Sequence, residues 1–191
     1  MCRRLGSGVF EKCQTAKFSA SEAKRAKPRR PKTPSTFGAQ LIEKQKIRFT
    51  YGINERHLAN YVKESVAAKG TPAAQKVFEL LESRLDNVVY RLGLAHTRRL
   101  SRQMVSHGHF VVNGTKTTVP SYRLKIGDVV TVREGSRSSI LFAELDKKLK
   151  GYSMPNWLSF DAEKFEAKVT GKPTTMDTFL NFETVLEFYS R

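Results

Sequence analysis

The sequence predicts an α+β protein, and three observations carry that prediction. Apolar residues recur at helical spacing, as in Leu58, Tyr61, Val62 and Val66 and again in Leu85, Val88, Val89 and Leu92. Asn113-Gly114 lies between runs of β-formers, the strongest short signal for a hairpin. The 191 residues also carry a formal net charge of +16 with 39% hydrophobic content, which is enough apolar material for folded cores beneath a surface suited to a polyanion.

Residues 1–38 lack sustained periodicity and contain KRAKPRRPKTP, so they read as an extended basic arm ordered by a partner. In that arm Arg3, Arg4, Lys27, Arg29 and Arg30 would neutralise phosphates, while Pro28, Pro31 and Pro34 restrict the conformations lost on binding. The same composition also suits a solvated tail, a nuclear localisation signal or a transit peptide. Up to Thr50, lysine and arginine greatly outnumber Glu11, Glu22 and Glu43, whereas acids slightly outnumber bases from Asp161 onward. The partner is therefore expected at the front and middle. Cys2 and Cys13 are too few for a disulfide framework and fit a reducing compartment.

Residues 39–82 read as the first part of a helical domain. Gln40 to Tyr51 is expected to be helical, with Lys44 and Arg48 on one face along the partner, Tyr51 near its end and Gly52 as the stop. Asn54 should cap the next helix, which Gly70 closes. Thr71-Pro72 has the pattern of an N-cap followed by proline at the first helical position, and Val77 and Leu81 then face inward. Ser83 is a plausible cap for a fresh helix with Asp86 in its first turn, which places a boundary near residue 83.

Residues 83–174 read as two short helices, a hairpin and further strands. The first helix leaves Arg84 and Arg91 on its outer face and ends at Gly93, and Thr97 can cap the second. Arg98, Arg99 and Arg102 decorate that second helix, with two of them in the first turn, where the macrodipole favours anions. An external phosphate would remove this conflict. Phe110 to Val112 and Lys116 to Val119 flank the turn at Asn113, and Val129 to Val132 follows Gly127-Asp128. Ser121, Tyr122 and Arg123 sit in a loop where hydroxyl, ring and guanidinium can meet sugar and phosphate together. Leu141 to Leu149 looks helical, and residues from Trp157 to Val169 alternate as strands, with Trp157 packing. Residues 175–191 should return to the helical domain.

Nothing in the chain resembles a catalytic constellation, whether Ser-His-Asp, a phosphate-cradling glycine loop or paired carboxylates. His107-Gly108-His109 superficially resembles a tRNA-synthetase signature, but it joins a helix to a hairpin, so His107 is expected to contact RNA or pack beside it and Gly108 to make the turn. No apolar run approaches the ~18 residues of a membrane-spanning helix. No cofactor, small-molecule substrate or membrane partner is expected.

The stretch from Arg84 to Gly114 resembles the alpha-L RNA-binding module. EKQKIRFTYG (Glu43–Gly52), LLESRLDNVVYRLG (Leu80–Gly93), VNGTKTTVPSYRLKIGDVV (Val112–Val130) and the closing LEFYSR are similar, in order, to the small ribosomal subunit protein four family of bacteria and organelles. The resemblance implies that the module, two helices packed on a small mainly antiparallel sheet, is inserted into the helical domain. It further implies a structural, non-enzymatic protein of the ribosome, cytoplasmic or organellar. Such a protein binds small-subunit ribosomal RNA early at a five-prime-domain junction, touches protein five and contributes to decoding accuracy. Zinc-bearing members carry four cysteines near the front. Here Cys2 and Cys13 do not supply that set, and Cys2 resembles the second cysteine of a pair whose first would precede Met1.

On this reading the RNA contacts also include Asn113, and Arg98→Glu with Arg102→Glu should weaken RNA binding without unfolding the protein. The alternatives are a rescue or regulatory RNA-binding factor and the docking part of an RNA-modifying enzyme, both of which use the same module. The enzyme reading leaves little chain for a catalytic domain.

Overall fold

The computed structural model describes residues 2–24, 34–142, 152–174 and 179–190. The chain divides into two compact units, Met1–Val77 with Met176–Arg191 and Phe78–Thr175. The division falls inside helix α5 (Ala73–Glu82), which begins one residue after Pro72.

The spine of the first unit is α3 (Thr36–Tyr51). Ser35 caps it by accepting from the Gly38 N–H at 3.2 Å, and Gly52 ends it in the left-handed region at φ 61°. Asn54 caps α4 (Glu55–Ala67) by accepting from the His57 N–H. The last helix, α9 (Phe182–Tyr189), is capped by Asn181 and packs along α3. Ile47, Leu58, Phe182 and Val185 are buried in this unit. Each such side chain contributes about 1.5–3 kcal/mol when fully removed from water.

The front of the chain is more structured than an extended arm. Helix α1 (Cys2–Leu5), two 3-10 turns (Ser7–Val9 and Glu11–Gln14) and helix α2 (Ala16–Ala23) follow one another, and Leu5, Val9 and Cys13 are buried. The first three pieces are too short for apolar periodicity to show. Each still supplies one anchor, which is why the pattern reads as structureless. Cys13 is disulfide-bonded, a pairing set by tertiary proximity rather than by cysteine count. The basic run at Lys27, Arg29 and Arg30 lies outside the described residues.

A polar latch holds the end of the chain to α3 and α4. The Glu55 carboxylate accepts from Lys44 Nζ at 2.9 Å, from Arg48 Nη1 at 3.2 Å and from the Tyr189 hydroxyl at 2.6 Å. Lys44 Nζ also lies 4.2 Å from the Phe188 ring centre. Burial pushes the Glu55 carboxyl up, but hydrogen bonds from Tyr189 and Lys44, with the fields of Lys44 and Arg48, outweigh it and hold it below its ordinary 4.5. A carboxyl depressed by folding stabilises above its unfolded pKa and loses that contribution as pH falls through the folded value. Tyr189→Phe should therefore cost about 1–2 kcal/mol at neutral pH, the low end for a hydrogen bond to a charged group because Glu55 is partly exposed. Urea titrations at pH 7 and pH 4 should show a smaller acid-side loss in the variant than in the parent; identical pH profiles would mean that the latch carries no stability.

In the second unit, α6 (Leu85–Arg91) and α7 (Arg98–Ser106) share one core with an antiparallel sheet. Its strands are β1 (Phe110–Val112), β2 (Thr115–Lys116), β3 (Val129–Val132), β4 (Leu158–Asp161) and β5 (Glu166–Val169), in the order β2-β1-β3-β5-β4. Phe110 opposes Val132, Val130 opposes Ala167 and Leu158 opposes Val169, so alternate residues put their apolar side chains on one face. That face joins Val88, Val89, Leu92, Met104 and Val105 in the core, with Trp157 packed among them. The hairpin turns at Asn113 and Gly114, with φ 48° and 80°, as the Asn-Gly signal requires.

Several local expectations differ from the structure: β2 ends at Lys116 rather than at Val119, and α4 ends at Ala67 rather than at Gly70. Ser83 does not cap α6: its hydroxyl donates back to Leu80 O at 3.4 Å, and the cap position is Arg84. The first N–H groups of α6 are satisfied instead by loop carbonyls, Leu85 N–H to Tyr122 O at 2.8 Å and Asp86 N–H to Pro120 O at 3.1 Å. A short helix α8 (Glu134–Arg137) follows β3. Leu141 and Phe142 form a turn, and the rest of the expected Leu141 to Leu149 helix lies outside the described residues.

Candidate nucleic-acid interface

The basic surface of the second unit is organised by a buried carboxylate that sequence reasoning did not single out. Glu82 is 1% exposed and receives a two-point fork from Arg91, Nε to Oε2 and Nη2 to Oε1, both at 2.9 Å. Asn87 Nδ2 donates to the same carboxylate at 2.8 Å, and Arg98 Nη2 lies 3.9 Å from it. Arg98 Nε in turn donates to Asn87 Oδ1 at 2.7 Å, and its guanidinium sits 4.3 Å from the Tyr90 ring centre. Glu82 and Arg91 are nine positions apart and on different helices, so no spacing rule could pair them.

This network changes the meaning of several arginines. Arg91 and Arg98 are half-buried and serve as frame as much as surface, while Arg84 is 1% exposed and forked onto Asp86 at 2.9 and 2.6 Å. Reversing Arg98 would set a carboxylate against Glu82, so the expectation that such a variant keeps its fold does not suit this geometry. Arg99 is exposed beside the α7 start, and Arg102 is partly exposed one turn on. Thr97 caps this helix by accepting from the Leu100 N–H at 3.1 Å, as its sequence suggests.

Beside the helix pair, the loop bearing Ser121, Tyr122 and Arg123 is pinned by backbone bonds. Tyr122 O and Pro120 O accept from α6, Leu124 N–H donates to Ser83 O at 2.8 Å, and Arg84 and Arg123 form a β-bridge. The pinned backbone leaves Tyr122 and Arg123 exposed. An exposed ring and a guanidinium on a fixed backbone lose little entropy when they stack and pair on RNA. His107 is exposed beyond the end of α7. His109 Nδ1 lies 2.9 Å from Ser136 Oγ, and burial, with the nearby His107 and Arg133, pushes its pKa down.

Asn113 is exposed, but both ends of its amide serve the hairpin: Oδ1 accepts from the Val129 N–H at 2.9 Å and Nδ2 donates to Asp128 at 2.8 Å. In the first unit, Lys44 and Tyr51 are buried and Arg48 is half-buried against Gln45 and Glu55, so the face expected to run along RNA is instead largely internal. Periodicity cannot distinguish a basic stripe in water from one folded under a neighbouring helix. Arg4 is exposed. Among the described residues no group of His, Cys, Asp and Glu is arranged to hold a metal ion.

Two helices on an antiparallel sheet, with arginines and a pinned aromatic loop on the outside, define an RNA-binding protein built on the S4 domain. The S4 domain model matches residues 83–130, and the model described as "Ribosomal protein S4/S9 N-terminal domain" matches residues 1–82. The chain is 40% identical over 200 residues to small ribosomal subunit protein uS4 of Syntrophomonas wolfei, covering 100% of this chain and 95% of that protein. It is 43% identical over 194 residues to its counterpart in Persephonella marina, covering 98% and 94%, and 42% identical over 202 residues to that of Thermus thermophilus, covering 100% and 95%. The chain belongs to the uS4 family of ribosomal proteins.

Proposed function

We propose that this protein is a structural component of the small ribosomal subunit that binds ribosomal RNA at a five-prime-domain junction and stabilises it early in assembly. The observation that carries the reading is the rigid basic platform of the second unit, where Arg99, Arg102, Tyr122 and Arg123 are displayed on backbone held by Glu82 and by the α6–loop bonds. A-form helices hide their base edges, so such a platform recognises junction shape, phosphate and 2′-OH groups. Family membership supports the ribosomal setting. Contact with protein five and a contribution to decoding accuracy follow the family resemblance.

Holding several RNA helices in one orientation lowers the conformational entropy left for later assembly steps, and this requires binding but no chemistry. In the test, the purified chain is titrated with a five-prime-domain fragment of small-subunit RNA across a salt series and against an unrelated structured RNA. Tight binding that survives competition, with a log–log salt slope of several released counterions, is the expected result. Equal affinity for both RNAs would overturn it.

A further inference from the structure

The first unit contains a recess that its own packing does not explain. Arg4, Leu5, Leu41, Ile42, Gln45 and Phe49 line a cavity of about 270 Å³ that is open on one side. This lies near the lower end of the ~300–1,000 Å³ typical of small-molecule sites. The Phe49 ring also packs with Phe10, whose ring centre lies 5.7 Å away. Within an otherwise apolar lining, two polar groups stand out. Gln45 Oε1 is fixed as an acceptor by Arg48 Nη1 at 3.2 Å, which assigns the amide orientation and leaves Nε2 as a donor toward other groups. Arg4, on α1, is exposed.

We propose that this recess receives a single unstacked nucleobase of the bound RNA, with the base against Phe49 and the aliphatic floor, Gln45 Nε2 donating to an acceptor on the base edge, and Arg4 on the adjoining phosphate. The proposal rests on the RNA-binding reading above and deepens it by adding a base-recognising site outside the S4 domain. One aromatic ring among aliphatic walls, one amide and one cation match the three parts of a nucleotide: π-face, polar edge and phosphate. An aliphatic side chain from a protein would fill the floor but would bury the Gln45 donor without a partner and leave Arg4 unused. A base presenting carbonyl acceptors, such as uracil or guanine, fits the donor-only edge best.

The test uses the full chain and two variants, Ile42→Trp, which fills the recess, and Gln45→Leu, which removes the donor at similar volume. Circular dichroism checks that both remain folded. Uridine and guanosine 5′-monophosphate are titrated in while the methyl resonances of Leu5, Leu41 and Ile42 are followed by NMR. Saturable shifts in the parent that are absent in Ile42→Trp and weakened in Gln45→Leu are expected. With the five-prime-domain fragment, both variants should bind about tenfold more weakly with an unchanged salt slope, because the lost interaction is uncharged. Chemical probing should reveal one base protected by the parent and exposed with Ile42→Trp.

Methyls that do not respond, together with variants that keep parental affinity and footprint, would overturn the base site while leaving the RNA platform standing. If those variants instead lose a neighbouring ribosomal protein from reconstituted subunits, the recess belongs to a protein side chain and the base site is likewise overturned. Methyl shifts that persist while the parent shows no preference for five-prime-domain RNA would support the base site and overturn the proposed function.

Discussion

Glu82→Ala should lower the stability of the Phe78–Thr175 unit by about 3–5 kcal/mol, the usual cost of removing one partner from a buried ionic network. The carboxylate is 1% exposed, and its removal leaves the Arg91 fork and the Asn87 amide without their shared acceptor and takes a counter-charge from the nearby Arg98 guanidinium. Arg91 and Arg98 side chains are only 19% and 15% exposed, so water can repair little of the loss. Glu82→Gln keeps the volume and one acceptor and should cost less. Urea denaturation reads both, and a loss under ~1 kcal/mol for alanine would mean that the network is incidental. RNA affinity should fall alongside, because the same carboxylate orients the arginines beneath the platform.

Arg99→Glu with Arg102→Glu should weaken binding to five-prime-domain RNA roughly a hundredfold at ~0.1 M salt, each reversal turning an attraction of about 1 kcal/mol or more into a repulsion. The salt slope should drop by about two, one for each phosphate contact. Stability should change by no more than ~1 kcal/mol, since Arg99 is exposed, Arg102 is partly exposed and neither side chain is in the core. Affinity within a factor of two or three of the parent, in a variant that melts normally, would remove α7 from the interface. Arg98→Glu is a poorer probe because it couples binding to the buried network.

Much of this was legible before any coordinates. Thr97, Asn54 and Gly52 act at helix ends as their residue types suggest, and Asn113-Gly114 turns the hairpin. The apolar stripes of α4 and α6 are the buried faces, except that Val66 at the end of the α4 stripe is exposed. These features depend on interactions within a few residues, where sequence spacing and spatial proximity coincide. The candidate site was less legible. The run Lys44 and Arg48 looked like an RNA-facing stripe, but Glu55 and the Phe188–Tyr189 pair, brought from the far end of the chain, cover it.

By itself the sequence determined the α+β class, the basic character, the order of helices and strands from α3 to β3 and the family to which the chain belongs, all written in local pattern and composition. Only the tertiary structure decided which cations face solvent. Glu82 holds Arg91 and Arg98, Asp86 takes Arg84 inside, loop carbonyls replace the missing cap of α6, and α1 meets α3 around a recess. Each of these depends on partners separated along the chain or on burial, and the free energy of a charge is set by what surrounds it in space rather than by its neighbours in sequence.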